Sequence, residues 1–232
     1  MGQFAHYFEN FCPIERTVMI INEMYVSVLP RVLPNTDIRL TDEQKKADFD
    51  DSMIGPPSVL LVDFLKSGYD IAQNIQKIRN MKNIDVRRSL IAKTIPHAII
   101  PVKVWNRDFS FSTDQFVKSY NRLIALDFPL VLEYDRIVNV LKSKPWVLFI
   151  TLAADGASVI AIVPLDNDDY HLHRLFFEAL CDEFKSDGLE VSCWCSELTA
   201  MMAQTYDARA WYNEDCVLYE LPREYLKYCE EG

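Results

Sequence analysis

Apolar and polar positions are most regularly ordered between residues 123 and 193, where they predict strands and helices in turn. Leu123–Asp127 has the composition of a buried strand, and in the next segment Ile137, Val140 and Leu141 recur at helical spacing. Two β-branched runs then flank Asp155–Gly156, a dipeptide that favours a tight type I′ hairpin turn. The predicted strands are Leu123–Asp127, Trp146–Ala153, Ser158–Leu165 and Leu189–Cys193, and the predicted helices are Leu132–Lys144 and one from Asp168 or Asp169 to Lys185.

The order β-α-β-β-α-β is typical of the split βαβ arrangement of ferredoxin-like and RRM-like domains. We therefore predict an α+β fold whose core, residues 123–221, has this arrangement. The first 57 residues have a weaker pattern. A β-branched run within Thr17–Leu29 predicts a strand, and the polar segment Asn35–Pro57 predicts a loop or a short helix.

Three short helices are predicted between residues 58 and 122. Ser58 and Asp70 have the chemistry of N-caps for the first two helices. Asp85 is the predicted N-cap of the third, which must end before Pro96 because proline disfavours helix at the residue that precedes it. The chain is thus divided into an N-terminal α/β extension (1–57), a helical lead-in (58–122), the α+β core (123–221) and a C-terminal tail (222–232).

Charge is distributed unevenly along the 232 residues, which carry a net charge of −10. Residues 66–122 hold 11 basic and 4 acidic side chains, whereas residues 166–232 hold 5 and 16. An acidic chain of this kind is a poor non-specific ligand for nucleic acid, because phosphate contacts supply most of that affinity. Only the basic segment, residues 66–122, is expected to present an electropositive face.

The remaining composition points to a folded cytoplasmic protein. Half of the residues are hydrophobic, no apolar run approaches the ~20 residues of a membrane span, and the start has no basic and apolar leader pattern. The six cysteines include no Cys-x-x-Cys pair, so free and mostly buried thiols are expected. A zinc site made of Cys193, Cys195, His171 and His173 is the weaker alternative.

Three blocks of sequence, taken in order, have counterparts in one family. The first is LKSGYDIAQNIQKIR with the Lys93–Pro96 turn, and the second is LIALDFP with the hairpin. The third is Thr205-Tyr206-Asp207 with Tyr212-Asn213, in which Asp207 and Asn213 are the matched polar residues. With this order and spacing, the chain resembles the VirE-like N-terminal domains of phages and mobile elements, a branch of the archaeo-eukaryotic primase (primase-polymerase) superfamily. The resemblance covers residues 55–220 and implies a primase-type core.

The resemblance implies a metal site that this sequence matches only in part. The family's first strand ends in Asp-x-Asp, two carboxylates that hold divalent metals. Asp127 matches the first of these, but Pro129 stands at the second. A third acid would lie near the predicted strand Leu189–Cys193, where Glu190 is present. Independently of the family, the simpler interpretation is that Asp127 caps the turn after its strand.

The hairpin is also matched in part. The family has a Ser-Gly-x-Gly turn with a Lys or His on the outgoing strand to contact phosphate. Here Asp155 and Gly156 occupy the turn, and the cationic position falls on Ile160. The resemblance therefore implies a degenerate primase-polymerase-like protein that acts by binding in DNA replication or transfer, with no resident cofactor.

Two alternatives stay open. The chain can be an active, divergent nucleotidyltransferase that uses Asp127 with Mg²⁺ or Mn²⁺, or an acidic interaction module whose C-terminal third meets a basic host partner. Weak DNA or RNA binding is expected on the basic segment, with Tyr69 and Trp105 as stacking surfaces. The candidate nucleic-acid-binding residues are Lys77, Arg79, Lys82, Arg87, Arg88 and Lys93.

Overall fold

A computed structural model describes residues 24–29, 56–104, 116–130 and 133–225. The strands are β1 (Tyr25–Leu29), β2 (Ser58–Leu60), β3 (His97–Ile99), β4 (Val102–Val104), β5 (Val117–Tyr120), β6 (Leu123–Pro129), β7 (Phe149–Leu152), β8 (Ser158–Pro164), β9 (Met201–Ala203) and β10 (Trp211–Tyr212). The α-helices are α1 (Leu61–Lys66), α2 (Ala72–Arg79), α3 (Ile84–Thr94), α4 (Tyr134–Lys142) and α5 (His173–Ser186). The mixture confirms the predicted α+β class.

The predicted split βαβ unit is present in a four-stranded antiparallel sheet. The strand order is β10-β7-β8-β6, so β8 lies between the two strands that α4 connects. Asp127 pairs with Ile160 on β8, and Thr151 of β7 pairs with the same residue from the other side. We call this sheet the core sheet.

The predicted strand Leu189–Cys193 is wrong. A single backbone hydrogen bond, from Ser192 N to Asp127 O at 2.8 Å, joins this segment to β6. The chain then turns into a 3-10 helix, Cys193–Ser196, and this turn ends the pairing before a strand ladder forms. The fourth strand of the core sheet is instead β10, at the opposite edge beside β7.

A second antiparallel sheet, with the order β2-β1-β3-β9, packs against the core sheet. Its strands come from the N-terminal extension, the lead-in and the core segment of the sequence. The part of the strand predicted over Thr17–Leu29 that is described forms β1, whereas residues 17–23 and 35–55 lie outside the described residues. The core sheet is therefore covered on both faces, which explains why every residue of β8 is buried.

Side chains alternate between those two faces along β6. Ile124, Leu126 and Phe128 pack with α4 and α5, whereas Leu123 and Ala125 pack with the second sheet and α1. By the same alternation, Asp127 lies on the face of Leu123 and Ala125. Its carboxylate is thus directed into the space between the two sheets, which β3 and β9 border on the side of the second sheet.

Three predicted helix N-caps are wrong, although the helices themselves exist. Ser58 belongs to β2, and α1 begins at Leu61. Asp70 lies within a 3-10 turn that precedes α2. The N-cap of α3 is Asn83, not Asp85, because the Asn83 side chain accepts hydrogen bonds from the amides of the second and third residues that follow it.

The hairpin between β7 and β8 is confirmed, but its predicted type I′ turn is wrong. Ala153 N donates to Ser158 O and Gly156 N donates to Ala153 O, each at 2.9 Å, which closes a four-residue loop. Gly156 has φ +72°, whereas Asp155 is not in the left-handed region that a type I′ turn requires. The Asp155 carboxylate accepts from Ala157 N at 2.9 Å and stabilises the longer loop.

Candidate functional site: a cleft at Asp127

A cleft of about 500 Å³ lies between the two sheets at the hairpin end of the core sheet. Asp127 of β6, Asp155 of the hairpin and Arg88 of α3 line it, together with Ser192 and Trp194. His97 and the β9 residues complete its wall on the side of the second sheet. The fold therefore brings the predicted residue Asp127 and the predicted hairpin to one site.

Asp127 is held by donors from the 192–195 segment. Its Oδ2 accepts from Ser192 Oγ at 3.0 Å and from Trp194 Nε1 at 3.1 Å, and its backbone N–H donates to Cys195 Sγ at 3.2 Å. Oδ1 is buried and has no hydrogen-bond partner among the described residues. The carboxylate is thus held in one orientation by neutral hydrogen-bond donors, which do not neutralise its charge.

The residues around Asp127 do not fit a two-metal centre. Ile160 lies opposite it on β8, and Pro129 pairs with Ser158, so neither position offers a carboxylate. Glu190, the acid considered from sequence, is exposed, and Ser192 is the residue of its segment that reaches Asp127. Within the described ranges, no three His, Cys, Asp or Glu side chains are grouped closely enough to hold a metal ion.

Two arginines of α3 attach to the hairpin. Arg88 Nε donates to Asp155 Oδ2 at 3.1 Å, and this arginine is 64% exposed. Arg87 Nη1 donates to Asp155 O at 3.0 Å and its Nε donates to Met81 O. Arg87 is thus occupied by backbone contacts, whereas Arg88 lines the cleft and faces solvent.

Arg79, a predicted nucleic-acid contact, is an internal clamp. Its guanidinium donates to the carbonyls of Leu152, Ala153 and Tyr206 and to Thr205 Oγ1, at 2.8 to 3.1 Å. Burial lowers its pKa, and the nearest acids, Asp207 first, oppose that shift. Its stem also packs under Gly156, where a Cβ would lie 3.3 Å from it. It joins α2, the hairpin and the 205–206 segment.

The terminal motif is likewise structural. Asp207 Oδ2 accepts from Leu152 N at 2.9 Å and from Tyr134 Oη at 3.1 Å, and the pKa of that tyrosine is raised to about 12, chiefly by burial. Asn213 Nδ2 donates to the carbonyls of Pro145 and Val147. Asp207 attaches its segment to β7, and Asn213 attaches its own to the residues just before β7. Both lie outside the Asp127 cleft.

The other predicted basic residues differ in exposure. Lys77 and Lys82 are exposed, and Lys93 is half-buried. With Arg79 and Arg87 occupied internally, the exposed positive charges of the predicted set are Lys77, Lys82 and Arg88. Trp105 lies outside the described residues, whereas Tyr69 is 70% exposed.

The zinc alternative is not supported by the positions of its residues. Cys195 is buried against Asp127, whereas Cys193 is exposed. His173 is buried at the start of α5, with its Nδ1 3.0 Å from Tyr120 Oη, whereas His171 is exposed. The two cysteines therefore differ in environment, as expected for a 3-10 turn rather than for a strand that would direct both to one face.

Sequence reasoning missed His97, Ser192 and Trp194 as cleft residues. His97 Nδ1 donates to Ile95 O at 2.8 Å, and burial lowers the pKa of its imidazole. The helix that precedes His97 ends where Pro96 requires it to end, which is the local signal that could have placed this residue at a strand start. Ser192 and Trp194 carry no such signal, because their contact with Asp127 spans 65 to 67 residues.

Comparison with known proteins adds no relative: no family model matches the chain, and no curated protein or solved structure is significantly similar to it. In the part of the chain that the structure describes, none of the helices has the length and apolar character needed to cross a membrane.

Proposed function

We propose that this chain is a catalytically inactive, primase-polymerase-like protein of a phage or mobile element, which acts as a binding component in DNA replication or transfer. The observation that carries the proposal is the Asp127 carboxylate, which lies in an inter-sheet cleft beside the hairpin and accepts hydrogen bonds from Ser192 and Trp194. The split βαβ arrangement of β6, β7 and β8 supports the kinship.

The chemistry of the cleft favours binding over phosphoryl transfer. Catalysis of the primase type needs two or three carboxylates that converge on metal ions, which in turn neutralise the triphosphate. Asp155 lines the same cleft, but its two oxygens already accept from Ala157 N and Arg88 Nε. Ile160 offers no charge to a phosphate. A nucleotide in this cleft would meet two carboxylates and one arginine.

The test of inactivity is primer synthesis and primer extension with Mn²⁺ and all four deoxynucleotides. We expect no product from the wild-type chain. We also expect calorimetry to detect no binding of Mn²⁺ and a nucleotide with micromolar affinity, since one fixed carboxylate binds a hydrated divalent ion weakly. Product that disappears in Asp127→Asn would overturn the proposal and establish the active-enzyme alternative.

The test of binding uses the exposed cations of the predicted set, of which Arg88 also pairs with Asp155. We expect the triple variant Lys77→Glu, Lys82→Glu, Arg88→Glu to lose retention of a single-stranded oligonucleotide at low salt, because phosphate contacts supply this affinity. The matched control reverses three exposed charges on α4 and α5, Lys142→Glu, Arg174→Glu and Lys185→Glu. Equal loss in both triple variants would mean that net charge alone governs binding and would contradict a nucleic-acid face on the basic segment.

A further inference from the structure

A second cavity, of about 450 Å³, opens beside β9 and shares Met202 with the wall of the Asp127 cleft. Its lining is largely apolar and includes Leu65 and Phe149. Tyr69 and Tyr212, which also line it, are 70% and 42% exposed and so form its rim. We call this cavity, lined by Leu65, Phe149 and Met202 and rimmed by the two tyrosines, the tyrosine socket. Its volume is in the range of sites that hold a ligand ring or an anchoring side chain.

The rim is built on rigid contacts. Gly68 lies so close to the backbone of Thr205 that a Cβ there would be 2.0 Å from the Thr205 carbonyl oxygen. This approach sets Tyr69 against Tyr206, with ring centroids 5.2 Å apart in an edge-to-face arrangement. Exposed aromatic rings that are already oriented lose little conformational entropy when a partner packs against them.

The polar groups of the socket are mostly occupied. Asp207 accepts from Tyr134 Oη, from Leu152 N and from Arg209 N. Lys66 is the cationic side chain among the described lining residues. An occupant is therefore selected mainly by its apolar or aromatic surface, not by hydrogen bonds in the floor.

Acidic residues outnumber basic ones beside the rim, where Lys66 and Asp207 line the socket and Arg209 precedes the lining residue Ala210. Asp70 follows Tyr69 directly, and Glu214 and Asp215 follow Tyr212 by two and three positions; all three acids are exposed. A phosphate chain laid across this mouth would meet like charges, which disfavours a nucleic-acid strand. Lysine or arginine residues on either side of an inserted ring would instead meet opposite charges.

We propose that the tyrosine socket is a docking site for a protein partner that inserts an aromatic side chain between Tyr69 and Tyr212 and carries basic residues on both sides of it. A buried aromatic anchor with a charged rim is a common arrangement of binding hot spots. The inference is independent of the proposed function, since nucleic-acid binding is assigned to Lys77, Lys82 and Arg88 and docking to the tyrosine socket.

The test uses the pentapeptide Lys-Lys-Trp-Lys-Lys, labelled with fluorescein at its N-terminus and amidated at its C-terminus, in fluorescence-polarisation titrations. We expect saturable binding that is weaker by roughly tenfold when Trp is replaced by Ala, which corresponds to the loss of one anchoring ring. A peptide with Glu in place of each Lys should also bind more weakly. Equal affinity of the Trp and Ala peptides would overturn the proposal, because attraction by net charge alone would then account for binding.

Variants locate the binding. Ala210→Trp places a ring in the mouth of the socket from an exposed position, and Tyr69→Ala removes part of the rim. Both should abolish the difference between the Trp and Ala peptides, whereas Val86→Trp and Tyr25→Ala, at exposed positions outside the socket, should leave it unchanged. Far-ultraviolet circular dichroism checks the fold of each variant.

Two further outcomes would overturn the proposal. One is an unchanged Trp-over-Ala preference in the Ala210→Trp variant. The other is an oligothymidylate that binds wild type but not Tyr69→Ala while the peptides do not bind, which would make the tyrosines a base-stacking surface. Loss of oligonucleotide retention in the Lys77, Lys82 and Arg88 variant has no bearing on the socket, so the two proposals fail separately.

Discussion

Arg79 fixes three separate segments through one side chain. Its donors reach carbonyls from β7, from the hairpin and from residue 206, so the loss of the guanidinium removes charge-assisted hydrogen bonds that join these segments. A sequence pattern cannot reveal this role, because the partners are 73 to 127 residues away. The donors to Asp127 are also far from it along the chain, so no local pattern reveals them either. Only Asp127 itself, at a recognisable strand, could be chosen from sequence.

We expect Arg79→Ala to lower the free energy of unfolding by about 3 kcal/mol, since buried acceptors lose charge-assisted hydrogen bonds. Arg79→Lys should recover little, because an ammonium cannot reach four acceptors in the geometry of the planar guanidinium. Urea unfolding followed by circular dichroism measures both. Lys77→Ala on the same helix, where the side chain is exposed, is the control and should change stability by under about 0.5 kcal/mol. A similar small change for Arg79→Ala would contradict the clamp.

At the level of elements, sequence reasoning succeeded where the signal is local. The hairpin, α4 and α5 follow from turn residues and from helical spacing within each segment. It failed for β2, β9 and β10, which have two or three residues each and exist only because another strand pairs with them. Short strands of this kind have no periodicity that could identify them. The predicted strand Leu189–Cys193 failed for the opposite reason. The segment has a strand-like pattern, but only one backbone hydrogen bond joins it to β6.

The 3-10 turn before α2 gives a prediction about packing between elements. Gly68→Ala should move this turn away from Thr205 and lower the free energy of unfolding by about 2 kcal/mol, because the clash is with backbone and cannot be relieved by a rotamer. It should also reduce the Trp-over-Ala preference of the pentapeptides. Chemical denaturation and the same polarisation titration measure the two effects. Gln73→Ala, at an exposed position of α2, should have neither effect.

For the whole molecule, two sheets in contact and the helices packed around them explain why polar groups are buried in places that no motif marks. His173 is one of them. It lies at the N-terminal end of α5, near Tyr120, and Nε2 is buried without a hydrogen-bond partner in the described part of the chain. Burial lowers the pKa of its imidazole to about 4, from an ordinary value of 6.5.

This pKa predicts the direction of the pH dependence of stability. The unfolded chain takes up a proton at His173 below about pH 6.5 and the folded chain does so only near pH 4, so stability falls as the pH is lowered through this window. The resulting loss in the free energy of unfolding is negligible above pH 7 and reaches its full value of about 3 kcal/mol below pH 4. Guanidinium unfolding at pH 5 and pH 8 measures it. His173→Gln should reduce the difference between the two pH values, and an unchanged difference would contradict the assignment.

The pairing of β9 with β3 has a consequence for the synthesis of the protein. The two strands are separated by about 100 residues of chain, so a ribosome that adds roughly 5–20 residues per second needs some 5–20 seconds to produce one after the other. During that interval the edge of β3 has no strand partner from β9, and unpaired strand edges are sites of misassociation for nascent chains. The second sheet is therefore completed only after β9 has been synthesised, and until then the open edge of β3 is a site where nascent chains can associate wrongly.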